Sequence, residues 1–305
     1  MENGLKRFKK ETGFPKKVRD IKEEHKMSSL TYELPELSEE EKRLPVSKYY
    51  TDYPLHKPNP LYRQLLAQGA MKPENALSLE HWFDLLRPEG YDKVEYGYCM
   101  MPDGTGYIAN YSVLSDRVTP EMRMWYVRWM NIHSRNLPEG CGNIRYKLWN
   151  QVDHLDHGLV DGDFKKGIYT LETLDMGGGE KPIRSVRHNF DVRDYGFPEE
   201  KYEELQKAHV AVTSCWESFE CPGSHLVLSV TRPCPLGGVE TCSREWIGYK
   251  AENGKIIRDL ETPDFMLCEQ YLRNVQIHNT VEQQHLATFL PELYAEYHDL
   301  PKDAD

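Results

Sequence analysis

The feature that most limits what this chain can fold into lies near its C-terminus. From about Asp264 to Leu290, the residues Leu267, Tyr271, Val275, His278, Glu282, His285 and Phe289 recur at steps of four and three. That is the repeat of one continuous helical face. The flanking members are apolar, so the face turns inward, and Pro291 is expected to end the helix. His278 and Glu282 therefore stand one turn apart on a stripe where a solvated charge is out of place. A carboxylate buried there needs a partner, because burying it alone is strongly unfavourable. A histidine and a glutamate at this spacing can share a metal ion. A helix-surface interaction or a buried hydrogen bond is the alternative that the spacing leaves open.

Upstream, the pattern reads as strand, turn, strand. Candidate strands are Val94–Met101, Gly106–Leu114, Ile144–Trp149, Gly167–Leu174, Ile183–Phe190, His225–Thr231 and Val239–Tyr249. They are separated by turn signals such as Pro102-Asp103-Gly104 and Pro235-Leu236-Gly237-Gly238. Pro120–Met130 reads as a helix with Thr119 as its cap, and Pro198–Ala208 as a second short one. About seven strands and one long amphipathic helix predict an α+β fold, an antiparallel sheet curled around the helix. Residues 1–45 are charge-rich and lack an apolar period, so they read as an arm, mobile or laid over the surface. Residues 46–305 read as a single domain. The basic cluster Lys6–Lys22 suits an anionic partner or plain solvation.

The overall charge narrows the function. With 38 basic and 49 acidic side chains the net charge is −11, against the concentrated basic face of a nucleic-acid binder. No run of about 18 apolar residues is available for a membrane span. The N-terminal stretch MENGLKRFKKETGFPKKVRD has no apolar core, so no secretory signal is expected. Seven cysteines without a CxxC pair fit reduced thiols in a cytoplasm. A homo-oligomer is left open.

Three further places carry candidate chemistry. The segment Arg145–His157 is dense in aromatic and polar groups and ends in Asp153-His154 and Asp156-His157. Its histidines would project into a cavity mouth, or else form exposed Asp-His hydrogen bonds. Alternation on Gly167–Leu174 puts Glu172 in line with Ile168, Thr170 and Leu174, as for a ligand or a salt-bridged core acid. His225 opens an apolar strand and alternates opposite Leu226 and Leu228. An acid/base role and a solvated face both fit it. HExxH, GxSxG, GxxxxGK[ST] and a strand-linked GxGxxG are missing, and Gly177-Gly178-Gly179 reads as a loose turn.

Taken together, these residues resemble the zinc-dependent carbon–carbon hydrolases typified by diacetylphloroglucinol hydrolase and phloretin hydrolase. The resemblance runs from about Gly97 to Tyr297. It rests on GYCMMPDGTGYIANY, TPEM, RYKLWNQVDH, SREWIG and, most specifically, HNTVEQQHLATFLPELYAEY. It implies a helix-grip fold, like the birch-pollen allergen, with Zn2+ inside the cavity. The implied metal ligands are His154, Glu172, His278 and Glu282, with Glu180 the alternative to Glu172. His154 is chosen because the family has a tyrosine eight residues earlier, where Tyr146 stands. His157 occupies the position of a substrate-binding asparagine, and the family's catalytic histidine maps to His225.

The implied reaction cleaves the bond between an acyl group and an electron-rich phenolic ring, releasing a carboxylic acid and the deacylated phenol. His225 would move the proton and Tyr146 would hold a substrate oxygen, the substrate being a small aromatic ketone of one or two rings. Two other readings use the same fold: a non-catalytic carrier of hydrophobic ligands, and a polyketide cyclase or decarboxylase.

Overall fold

A computed structural model describes residues 30–138 and 140–301. Its helices are α1 (Glu39–Lys42), α2 (Lys48–Asp52), α3 (Pro60–Ala67), α4 (Pro120–Trp129), α5 (Ile144–Lys147), α6 (Glu199–Lys207) and α7 (Glu269–Tyr297). The strands are β1 (Gly97–Met100), β2 (Gly106–Val113), β3 (His154–Leu159), β4 (Ile168–Glu172), β5 (Ile183–Asn189), β6 (Ala211–Phe219), β7 (Ser224–Pro233) and β8 (Val239–Ile247). A short hairpin, β9 (Tyr249–Glu252) and β10 (Lys255–Arg258), follows. The first eight strands form one antiparallel sheet in the order β1-β2-β8-β7-β6-β5-β4-β3. The fold is thus α+β, with a large antiparallel sheet and a long C-terminal helix, as expected; the sheet has eight strands rather than about seven.

The period-two alternation of the strands explains how the sheet is covered on both sides. On β7, Leu226, Leu228 and Val230 are fully buried and pack with Trp82, Leu85, Phe197 and Leu205. The alternate residues His225, Val227, Ser229 and Thr231 line a cavity on the side of α7. Side chains of α7 reach well across the sheet. Gln276 donates to the Ala109 carbonyl on β2 (3.0 Å), Asn279 to Glu245 on β8 (2.6 Å), and Tyr271 meets His225 on β7 (3.1 Å).

Several elements differ from the sequence expectation, each for a local reason. Ile144–Lys147 is a helical turn rather than a strand. Asn143 caps it by accepting from the Arg145 amide, and the same side chain donates to the carbonyls of Met130 and His157. The strand begins later, at His154. The strand β6 has polar residues on both faces (Ser214, Glu217, Ser218), which hides its alternation. The last helix starts at Glu269 and passes through Pro291 to Tyr297. An interior proline costs about 3 kcal/mol. Burial of Leu290, Leu293 and Tyr297 against α4 and residues 44–50 offsets that cost. Helix α4 itself matches its expectation, with Thr119 capping the Met122 amide and Pro120 in the first position.

Of the arm expected over residues 1–45, the part through residue 29, with the cluster Lys6–Lys22, lies outside the described residues. Downstream, Leu37 and Leu44 are buried with Tyr49, Tyr126, Phe289 and Leu293, and Glu41 pairs with Lys147 at 2.5 Å. No helix among the described residues is long and apolar enough to cross a membrane.

Candidate active site

The helical spacing and the sheet register together assemble a donor cluster. One turn of α7 places His278 and Glu282 side by side, and in the β3–β4 register His154 lies directly opposite Glu172. His154 Nε2 is 3.4 Å from His278 Nε2 and 3.4 Å from Glu282 Oε2, and His278 Nε2 is 3.5 Å from that same oxygen. Glu172 Oε2 is 3.7 Å from His154 Nε2. A tetrahedral ion with nitrogen and oxygen ligands at about 2.0–2.1 Å has donor–donor edges of about 3.3–3.4 Å. His154, His278 and Glu282, all buried, therefore form a group able to hold a metal ion.

The far sides of both imidazoles are also committed. His154 Nδ1 lies 3.1 Å from the Tyr146 carbonyl, and His278 Nδ1 lies 2.8 Å from Asp153 Oδ2. An acceptor at Nδ1 holds a proton there and turns Nε2 to the cluster, where it donates to Glu282 when protonated and can offer a lone pair to a metal when not. Asp153 is itself fully buried and accepts from the Thr173 hydroxyl at 2.6 Å. Burial alone would raise the Glu282 carboxyl, but the hydrogen bonds from His154 and His278 outweigh it and hold it down to about 2. Burial raises Glu172, whose Oε2 accepts the Tyr146 hydroxyl proton.

Glu172, His278 and Glu282 line a cavity of about 190 Å³ between the sheet and α7, together with His225, Glu217 and Glu245. His225 is buried and neutral, its pKa lowered to about 4 by burial against a weaker opposing pull from Glu217. Glu245 is raised to about 7, first by burial and then by the nearby charge of Glu217. A larger groove of about 930 Å³ runs beside Trp125, Trp129 and Tyr297 but contains none of the donor residues.

Each sequence candidate can now be located. His154, His278 and Glu282 come together, with Glu172 beside His154 only and bonded to Tyr146, whereas Glu180 is exposed beyond the turn that follows β4. His225 is on the cavity wall, opposite in direction to Leu226 and Leu228. Tyr146 lies behind the wall, its ring stacked on His154 at 3.7 Å. His157 is one layer further back, stacked on Tyr146 at 4.4 Å and bonded to Asn131 at 2.8 Å. Burial, and then the charge of Arg187, keep it neutral. Sequence reasoning passed over Asp153 as an orienting group, because its partner His278 is 125 positions away.

A buried His-His-Glu cluster beside a cavity is a candidate enzyme site, and comparison with known proteins supplies the class. Residues 77–295 match the model of the DAPG hydrolase PhiG domain family. The chain belongs to that family and is a hydrolase acting on carbon–carbon bonds in ketonic substances. It is similar to the phloretin hydrolase of Eubacterium ramulus, with 26% identity over 286 residues, covering 86% of this chain and 93% of that protein.

Proposed function

We propose that this hydrolase is zinc-dependent and cleaves the bond between an acyl carbonyl and an electron-rich phenolic ring carbon, an acylphloroglucinol-type substrate. The observation that carries the reading is the triangle of His154, His278 and Glu282 donors facing a cavity whose wall includes His225. His154, His278, Glu282 and Glu172 would hold the ion, two imidazoles and two carboxylates balancing its charge. Zinc supplies Lewis-acid polarisation and activates water near neutral pH.

The remaining work falls to the protein's own groups. A ring carbon is a poor leaving group until it is protonated, which turns the acylphenol into a β-diketone open to retro-Claisen cleavage. His225, neutral and on the cavity wall, takes the phenol proton and returns it to the ring carbon. Tyr146, set behind the wall, donates a hydrogen bond to Glu172 and so orients that carboxylate, rather than holding a substrate oxygen itself. His157, stacked behind Tyr146, positions that ring. Addition of one water yields the carboxylic acid and the deacylated phenol. The cavity is small beside ligand pockets of about 300–1,000 Å³, which favours a one-ring ketone.

The accompanying fold reading is helix-grip, supported by the contacts of α7 with β2, β3, β7 and β8. The seven cysteines, all free, support a reducing, cytoplasmic setting. Elemental analysis of the purified protein combined with a product assay on acylphloroglucinols tests the function. About one zinc per chain and release of acid plus phenol are expected. Turnover by unchelated protein that holds no transition metal overturns the zinc reading.

A further inference from the structure

Among the described residues, Arg123 makes no ion pair with an acid, unlike three other sheltered arginines. Arg187 pairs with Glu217 (2.7 Å), Arg232 with Glu240 (2.6 Å), and Arg244 with Asp92 and Glu95 (2.8 and 2.5 Å). Arg123, on α4, lines the catalytic cavity, and its Nε and Nη1 are shielded from solvent without a hydrogen-bond partner. Its guanidinium lies over the Trp149 ring, 5.1 Å from the centroid. The Trp149 Nε1–H is shielded and without a partner as well, and it lines the same cavity. The Trp149 ring in turn meets the His154 ring edge-on at 5.5 Å. Thus two neighbouring donors, one cationic, are unsatisfied on the wall next to the metal donors. The acid whose charge acts on Arg123 is Glu282, which is already held by His154 and His278.

Burying a guanidinium without a counter-ion destabilises a fold, as does leaving an indole N–H unpaired. Such groups persist at sites where a ligand completes them. The fork of an arginine matches two oxygens of a carboxylate, or one phenolate oxygen with a second donor alongside. We infer that Arg123 and the Trp149 N–H form a subsite for an anionic oxygen of the substrate, either a carboxylate on its acyl chain or a phenolate on its ring. The inference rests on the cavity being the substrate site as read above. It adds that the preferred ketone binds as an anion.

The test uses two ligand arms on the parent, Arg123→Gln and Arg123→Lys proteins, each in holo and metal-stripped form. The first arm compares a trihydroxyphenyl ketone whose acyl chain ends in a carboxylate with its methyl ester. The second follows the binding of trihydroxyacetophenone across the ligand's own first phenol ionisation. Tryptophan fluorescence gives Kd, and kcat/KM is measured in parallel. For the anionic form, Arg123→Gln is expected to weaken Kd by about 30-fold or more, the low end for removing one member of a buried charge pair. Arg123→Lys recovers part of it, and binding of the neutral form is unchanged. A parent preference for acid over ester identifies the carboxylate. A preference only for the ionised phenol identifies the phenolate. Equal affinities of parent and Arg123→Gln for both ionised ligands overturn the inference. Ligand-free Arg123→Gln should melt no lower than the parent; a lower melting temperature with undiminished anion binding assigns Arg123 to the fold instead. Because Kd is read without metal, the anion subsite stands or falls even where no ketone is hydrolysed.

Discussion

Glu245→Gln should make the protein more stable, by an amount that depends on pH in a way the structure specifies. Glu245 is buried on β8, its Oε1 accepting from Asn279 at 2.6 Å, with the Glu217 carboxylate close enough to add to the effect of burial. Its carboxyl is raised from 4.5 to about 7. The folded state therefore holds this proton more tightly than the unfolded chain does. Well below pH 4.5 the group is protonated in both states and no penalty exists. As pH rises towards 7 the unfolded chain ionises first, so stability is lost, and above 7 the loss is complete. At about 1.36 kcal/mol per pH unit, the difference amounts to about 3 kcal/mol. Glutamine keeps the acceptor for Asn279 and removes the charge. Urea denaturation of parent and variant, metal-stripped, at pH 5 and pH 8.5 measures this directly. The expected result is a gain of about 1 kcal/mol or a little less at pH 5 and of about 3 kcal/mol at pH 8.5, with a smaller gain in the holoprotein, where a nearby cation favours the carboxylate. A gain that is the same at both pH values, or a variant less stable at pH 8.5, would refute the account of Glu245 as a desolvated acid.

Asp153→Asn should weaken metal affinity by about 10–100-fold while leaving the fold intact, as read by competition with a chelator. Glu172→Gln should sharply reduce zinc content and Glu180→Gln should leave it alone; the reverse result would exchange the two acids. His225→Ala should retain zinc and folding yet lose about 10²–10⁴-fold in turnover. Because His225 is neutral down to about pH 4, its ionisation should not appear in the rate profile between pH 5 and 8. Tyr146→Phe should keep its metal and lose less activity than His225→Ala, reflecting one missing hydrogen bond worth about 1 kcal/mol.

The long helix could be read from sequence because its stripe is continuous and its polar members stand out against apolar neighbours. The same logic picked out His278, Glu282 and Glu172. Other parts depend on contacts that no local pattern records. The turn at Ile144–Lys147 is helical because the Asn143 side chain ties it to Met130 and His157. Strand β6 escaped notice because one of its faces, with Thr213, Cys215 and Glu217, lines a polar cavity rather than a core. The helix runs through Pro291 because the aromatic cluster beneath it outweighs a local prohibition. Asp153 looked like the partner of its neighbour His154, yet it orients a histidine on a different element.

The inner face of the sheet has one more consequence. Ser112, Thr213, Ser229, Thr231, Thr241 and Ser243 spread hydroxyls across the wall that faces α7. An apolar face would gain by closing up against the helix, whereas hydroxyls gain little from doing so. Each hydroxyl can both give and receive a hydrogen bond by turning about one bond. The wall can therefore stay wetted next to the donors, and it can follow a ligand whose oxygens change from hydroxyl to ketone during the reaction. For a hydrolase whose second reactant is water, such a wall beside the candidate site is able to hold water next to the donors, and a ketone entering there would displace only part of it.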